Sequence, residues 1–235
     1  MADNVATRMG VLAVAKGCIL KRFVMIVVCL LVPLALSAEP AFATKMVALT
    51  FDDGPSRNTN TVIDILRTHE ASATFFFVGK RMTSGAFDKD ALLSVGEIAN
   101  HTYTHSASRP WRKMSYSRAK WEIKATNDKI RDATGQNRFW FRTMGLERNT
   151  AVKRAIKDTG VTYVGGVLVK DYGSSSANRA ASIKSRVKSK AAKDHTILIL
   201  HETNKETVKA LPGILDWYKS RGYKVVTVSQ LKGLN

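Results

Sequence analysis

Val47-Ala48-Leu49-Thr50-Phe51-Asp52-Asp53-Gly54-Pro55 is an apolar run that stops abruptly at two carboxylates and a turn signal. The run from Met46 to Phe51 reads as a strand, and Gly54-Pro55 prevents its continuation. Neighbouring carboxylates at a strand end need separate surroundings, because two unpaired anions side by side push one pKa upward. A metal ion on one would absorb its charge and leave the other free to take a proton. Taken alone, the four residues Asp52 to Pro55 also fit an ordinary turn with solvated acids.

Working outward, the pattern repeats. Strand candidates are Ala73 to Val78, Gly96 to Asn100, Phe139 to Arg142, Val161 to Val169 with a break at Gly165-Gly166, Thr196 to Leu200, and Tyr223 to Val228. Between them lie stretches of helical period: Thr61 to His69, Ser117 to Ala133, Thr150 to Thr159, Arg179 to Ala191, and Glu206 to Arg221. Strand then helix, about seven times over, predicts an α/β fold of parallel strands. Asp52-Asp53, His101, Arg142, Asp171 and His201 each fall at or just past a strand end. A distorted TIM-like barrel gathers those ends on one face, whereas an open doubly wound sheet sets them along a line. The barrel is therefore expected.

His101-Thr102-Tyr103-Thr104-His105 places two imidazoles four residues apart. Two histidines and a carboxylate with open positions suit zinc or another divalent metal. By themselves the histidines read as surface residues, and Asp53 from another strand end changes that balance. Arg142, Asp171 and His201 cap strongly apolar runs, which is costly for a charged group unless it is paired or faces a cleft. His69 and His195 lie in polar helix-end or loop settings and carry no expected role.

The first 43 residues read differently from the rest. Lys21-Arg22 precedes an apolar run from Phe23 to Leu36, followed by Ala41-Phe42-Ala43, the layout of a secretory signal. Pro33 interrupts the run, which is short for a membrane span of roughly 20 residues. Cleavage is expected after Ala43, then after Ala38, with an uncleaved anchor as the alternative. Domain limits are then 1–43 and 44–235. Both cysteines, Cys18 and Cys29, fall in the first segment, so the mature domain has no disulfide or thiolate chemistry. The formal charge is +18 for the chain and +16 from residue 44 on, since Arg8, Lys16, Lys21 and Arg22 leave with Asp3 and Glu39. Such a field attracts polyanions, which for an exported protein means anionic cell-wall polymer; the basic residues are spread over helical segments, so a solvated basic surface is the plainer reading.

Thr50-Phe51-Asp52-Asp53-Gly54-Pro55, the later His101 and His105, and Ala73-Thr74-Phe75-Phe76-Phe77-Val78-Gly79 together resemble the polysaccharide deacetylase family with the NodB homology domain, carbohydrate esterase family 4. The resemblance runs from Val47 to about Leu231. It implies a distorted (β/α)7 barrel and a hydrolase that removes acetyl groups from N-acetylated polysaccharide. It implies one divalent ion on Asp53, His101 and His105, zinc favoured, with cobalt, nickel or manganese as alternatives. Asp52 is then the general base, Arg142 its partner, His201 the general acid, and Asp171 the group that orients His201. Tyr172 and Ile199 stand where the family lines its acetyl pocket with a tryptophan and a leucine. The family commonly reads Pro-Pro-Tyr-Gly or Ala-Pro-Tyr after the arginine, whereas this chain reads Thr143-Met144-Gly145-Leu146. An oxyanion donor is still available as the N–H of Met144 or Gly145, on a loop that glycine loosens.

The expected partner is thus an N-acetylated polysaccharide, peptidoglycan first and chitin-type oligomers second. Neither nucleic acid nor an obligate protein partner is expected, and the location is secreted, periplasmic or wall-associated. The altered loop keeps open a second reading, a catalytically weak or inactive glycan-binding domain of the same fold.

Overall fold

The structure, a computed structural model, describes residues 45–172, 179–190 and 193–234. The segment read as a secretory signal lies outside them. Among the described residues eight strands and seven α-helices follow one another, alternating except where two strands, the fifth and sixth, are consecutive. The strands are β1 (Lys45–Gly54), β2 (Ala73–Phe77), β3 (Gly96–Asn100), β4 (Trp140–Phe141), β5 (Thr162–Tyr163), β6 (Val167–Leu168), β7 (Thr196–His201) and β8 (Tyr223–Val226). The helices are α1 (Thr59–Thr68), α2 (Lys89–Val95), α3 (Tyr116–Thr134), α4 (Thr150–Asp158), α5 (Ala180–Lys190), α6 (Lys205–Lys219) and α7 (Val228–Leu231).

All pairings are parallel, in the order β5-β4-β3-β2-β1-β7-β6. β8 pairs the first half of β1 and lies end to end with β2, whose approach is marked by Ser72 N–H donating to Val225 O at 3.1 Å. The sheet curls as a half-barrel with helices outside it. Closure is incomplete: β5 and β6 end the order, and no ladder joins them among the described residues.

Period two along the strands sets which side chains meet. On β1, Val47, Leu49 and Phe51 face the helices, in one core with Phe75, Ile98, Phe141 and Leu198. Ala48 faces inward, in a second cluster with Phe76, Ala99, Trp140 and Val226. Continuing each inward series by two residues places Asp52, His101, Arg142 and His201 inside, at the C-terminal end. The opposite end is plugged by α7, whose Val228 and Leu231 complete the inner cluster and whose Ser229 Oγ accepts from Trp140 Nε1 at 2.9 Å.

Several boundaries differ from expectation. The strand predicted over Phe139 to Arg142 is reduced to Trp140–Phe141, because the Arg142 carbonyl is taken by His101 Nδ1 at 2.9 Å. Val161 to Val169 splits into β5 and β6 around Gly165-Gly166, as predicted. The last strand stops at Val226, since Thr227 and Gln230 form a capping box that starts α7. Helix α2, seven residues capped by the Asp88 side chain, was not anticipated; it is too short to show a helical period.

Candidate active site

The residues singled out in the sequence converge on one cleft of about 420 Å³. Its walls include Asp52, Asp53, His101, His105, Met144, Gly145, Tyr172, Ile199 and His201, joined by Thr143, Leu146 and Leu168. Arg142 and Asp171, both fully buried, lie behind Asp52 and His201.

Asp52 and Asp53 both face His101 Nε2, Asp53 Oδ1 at 3.4 Å and Asp52 Oδ2 at 3.7 Å, yet their other partners differ. Asp53 adopts φ +72°. A Cβ on Gly54 would collide with the Glu202 carboxyl and come within 2.6 Å of the Phe77 ring, so only glycine fits there. Asp52 Oδ1 accepts from Arg142 Nη1 at 2.6 Å. The same nitrogen donates to Thr50 Oγ1 at 2.8 Å, and Arg142 Nε and Nη2 donate to the carbonyls of Val164 and Gly165 at 3.1 and 3.3 Å. The guanidinium also lies 3.9 Å from the Phe76 ring centre, a favourable stacking contact. Asp52 therefore makes a buried, charge-assisted contact with Arg142.

Asp53, His101 and His105 bring three ligand atoms within 4.8 Å of one another. His105 Nε2 is 3.0 Å and His101 Nε2 3.4 Å from Asp53 Oδ1, close to the roughly 3.3 Å edge of a tetrahedron of atoms about 2.0–2.1 Å from zinc. His101 Nδ1 faces the Arg142 carbonyl, so the proton belongs on Nδ1 and the Nε2 lone pair points into the cleft. Asp53 Oδ1 is buried without a hydrogen-bond partner, a costly state that a cation would relieve. Burial by itself would raise the Asp53 carboxyl, but the close imidazoles of His101 and His105 outweigh it and hold it well below the usual carboxylate range. Donor chemistry, spacing and the orphaned oxygen all fit a divalent ion.

Across the cleft, Asp171 accepts three hydrogen bonds of 2.7 Å, from His201 Nδ1, His201 N–H and Thr207 Oγ1. Burial disfavours the His201 imidazolium, but Asp171 raises the pKa to about 9, with further help from the charges of Asp52 and Asp53. A cation on Asp53 would cancel part of that help and draw the value back toward neutrality. Tyr172 is 52% exposed at the mouth with its ring edge-on to His201, centroids 5.4 Å apart, while Ile199 is buried in the wall.

The loop after Arg142 is a single 3-10 turn, Met144–Leu146, with φ +62° at Gly145 and +60° at Leu146. It is better anchored than its glycine suggests. Leu146 N–H donates to Thr143 O at 3.1 Å, and Glu147 pairs with Arg112 at 2.7 Å. Among the described residues no hydrogen bond uses the N–H of Met144 or Gly145, so both remain available as donors at the cleft wall.

Sequence reasoning missed the supports. Glu202 is buried beneath Gly54, accepts from Thr59 Oγ1 at 2.5 Å and is pushed up to about 7, chiefly by burial. Glu122 on α3 holds the histidine loop, and Asn100 at the end of β3 ties its start to that helix. Their signal was present as acidic and amide residues inside apolar arcs, at Glu122 beside Ile123 and at Asn100 after Ile98-Ala99.

A polysaccharide deacetylase family profile matches residues 40–164. The chain is 36% identical over 200 residues to a bifunctional xylanase/deacetylase of Pseudobutyrivibrio xylanivorans, covering 81% of this chain and 31% of that protein. It is 34% identical over 198 residues to a peptidoglycan-N-acetylglucosamine deacetylase of Bacillus cereus, covering 80% of this chain and 88% of that one. Among solved structures, a family 4 acetyl xylan esterase from Clostridium thermocellum, in complex with a cobalt ion, superposes with a TM-score of 0.71 at 31% identity, over 81% of this chain and 93% of that one. With this fold, these strand-end residues and these relatives, the chain belongs to the polysaccharide deacetylase family, carbohydrate esterase family 4.

Proposed function

We propose that this protein is an exported, metal-dependent deacetylase that hydrolyses the acetamide of an N-acetylated glycan, yielding acetate and a free amino sugar. One observation carries the reading: a three-ligand cation site, an Arg-held carboxylate and an Asp-held imidazole face one cleft. A divalent ion on Asp53, His101 and His105, zinc first, would polarise the acetyl carbonyl and lower the pKa of bound water toward about 7. Asp52, held by Arg142, takes the proton of the attacking water. His201, its Nδ1–H on Asp171, presents Nε2–H to the departing nitrogen. The N–H of Met144 or Gly145 donates to the developing oxyanion, and Ile199, Leu168 and Tyr172 border the acetyl group.

Peptidoglycan is the favoured polymer. The signal layout and the +16 charge support it, as does similarity over nearly the whole of the Bacillus cereus protein, whose name states that substrate. Chitin-type oligomers come next, and the xylanase relative adds acetylated xylan as a comparison. The decisive experiment is acetate release by the full chain from peptidoglycan, chitin oligomers and acetylated xylan, with zinc or cobalt and a His101→Ala control. Release that the control loses establishes the enzyme and ranks its substrates. Metal binding without release from any polymer favours the second reading, an inactive glycan-binding domain, to which the departure at Thr143-Met144-Gly145-Leu146 points.

A further inference from the structure

Helix α3 packs Ala119, Ile123 and Ile130 inward, yet Glu122, Thr126 and Asn127 on the same side are buried as well. Buried polar groups on a helix are costly unless they are satisfied, so the destination of their hydrogen bonds is informative. Asn100 Nδ2 donates to Ile123 O and Asn127 Oδ1 at 2.8 and 2.7 Å, and Asn100 Oδ1 accepts from Thr102 N–H at 2.8 Å. Glu122 Oε2 accepts from the N–H groups of Tyr103 and Thr104 at 2.9 and 2.7 Å. Its Oε1 accepts from Thr104 Oγ1 at 2.6 Å and from Arg118 at 2.8 and 3.2 Å. One carboxylate thus meets five donors, three of them between His101 and His105.

We propose that Glu122 is a positioning residue for the cation site, acting through Tyr103 and Thr104 to fix the direction in which His105 presents Nε2. The inference rests on reading Asp53, His101 and His105 as cation ligands. Thr102 and His105 adopt φ +71° and +47°, a left-handed backbone that strains a non-glycine residue. Successive N–H groups converge on one acceptor where such residues interrupt the chain. The carboxylate is that acceptor, and it offsets the strain. Arg118 secures it from outside, with its guanidinium 4.2 Å from the centre of the exposed Trp121 ring. The helix acts as a template on which the ligand loop is laid.

The test is zinc and cobalt affinity of the metal-free full chain, by competition with a chromophoric chelator. Glu122→Ala should weaken affinity 10–100-fold, the range for loss of a group that orients a metal ligand. Glu122→Gln, which keeps a carbonyl for the two N–H groups and an NH2 for Thr104 Oγ1, should lose less, and it keeps the question decidable if the alanine variant fails to fold. Leu211→Ala, a cavity at a buried core residue of α6, should lower thermal stability without weakening the metal. Wild-type affinity in both Glu122 variants overturns the inference alone, as does equal weakening in Leu211→Ala. A wild-type chain that binds neither metal overturns the reading of the cation site and the inference with it.

Discussion

The two walls of the cleft are built to different standards. On the wall formed by β2, β3 and α3, every residue from Asn100 to Thr104 is hydrogen-bonded to a strand or to the helix. On the wall formed by β6 and β7, the flanking strand has two residues, Gly165 and Gly166 precede it, and Tyr172 stands exposed at the rim. The contrast follows from the two tasks. On the proposed reading, ligands must keep their spacing to a few tenths of an ångström, whereas a substrate passes along the other side. Within that wall the Asp171–His201 pair is the most tightly held part, by three hydrogen bonds of 2.7 Å, while the Leu168 and Val169 carbonyls accept from Lys190 Nζ and Arg186 Nε at 2.9 Å.

The largest effect expected is at the junction of the walls. Asp52→Asn should lower kcat by about 10²–10⁴ and leave zinc stoichiometry unchanged by elemental analysis; near-normal turnover would remove Asp52 as the base. Next is Asp171→Asn. His201 is raised from 6.5 to about 9 in the cation-free site, and a cation on Asp53 draws that value down, so activity falls as pH rises along a basic limb that lies below about 9. Loss of the Asp171 carboxylate should lower the His201 pKa and move the basic limb of the kcat profile to lower pH. The same sign applies to stability: the pair's contribution is complete below pH 6.5 and fades as pH climbs through about 9. Urea unfolding across that window should show the decline in the wild type and little in the variant. The smallest effect is at Tyr172→Ala, which should raise KM for polymer with little change in metal affinity. If it weakens the metal instead, the division between the walls fails.

Much of this was legible in the sequence because period two does most of the positioning. Once Met46 to Phe51 is read as a strand, Asp52 must continue the inward row of Ala48 and Thr50, and the same count sends His101, Arg142 and His201 to the same interior. The incomplete closure was not legible, since two-residue strands such as β4, β5 and β6 carry no periodic signal. The supports at Glu122 and Glu202 were hidden for another reason. An acidic residue on a helix or after a strand ordinarily faces water, and only the fold shows which donors await it. The anchoring of the Thr143–Leu146 loop depended similarly on Arg112, a residue distant in the chain.

The seam between β5 and β6 gives Arg142 a double office. The backbone carbonyls of Val164 and Gly165 lie on the stretch that joins the two unpaired edges, and the guanidinium bonds both while a third nitrogen contact holds Asp52. The side chain thus ties the end of β5 to Thr50 and Asp52 on β1, and on the proposed reading the same cation also supports proton transfer at Asp52. Any substitution there must be counted twice, once in the cohesion of the barrel and once in its chemistry, so a drift that relaxed catalysis at this position would also loosen the wall that shapes it.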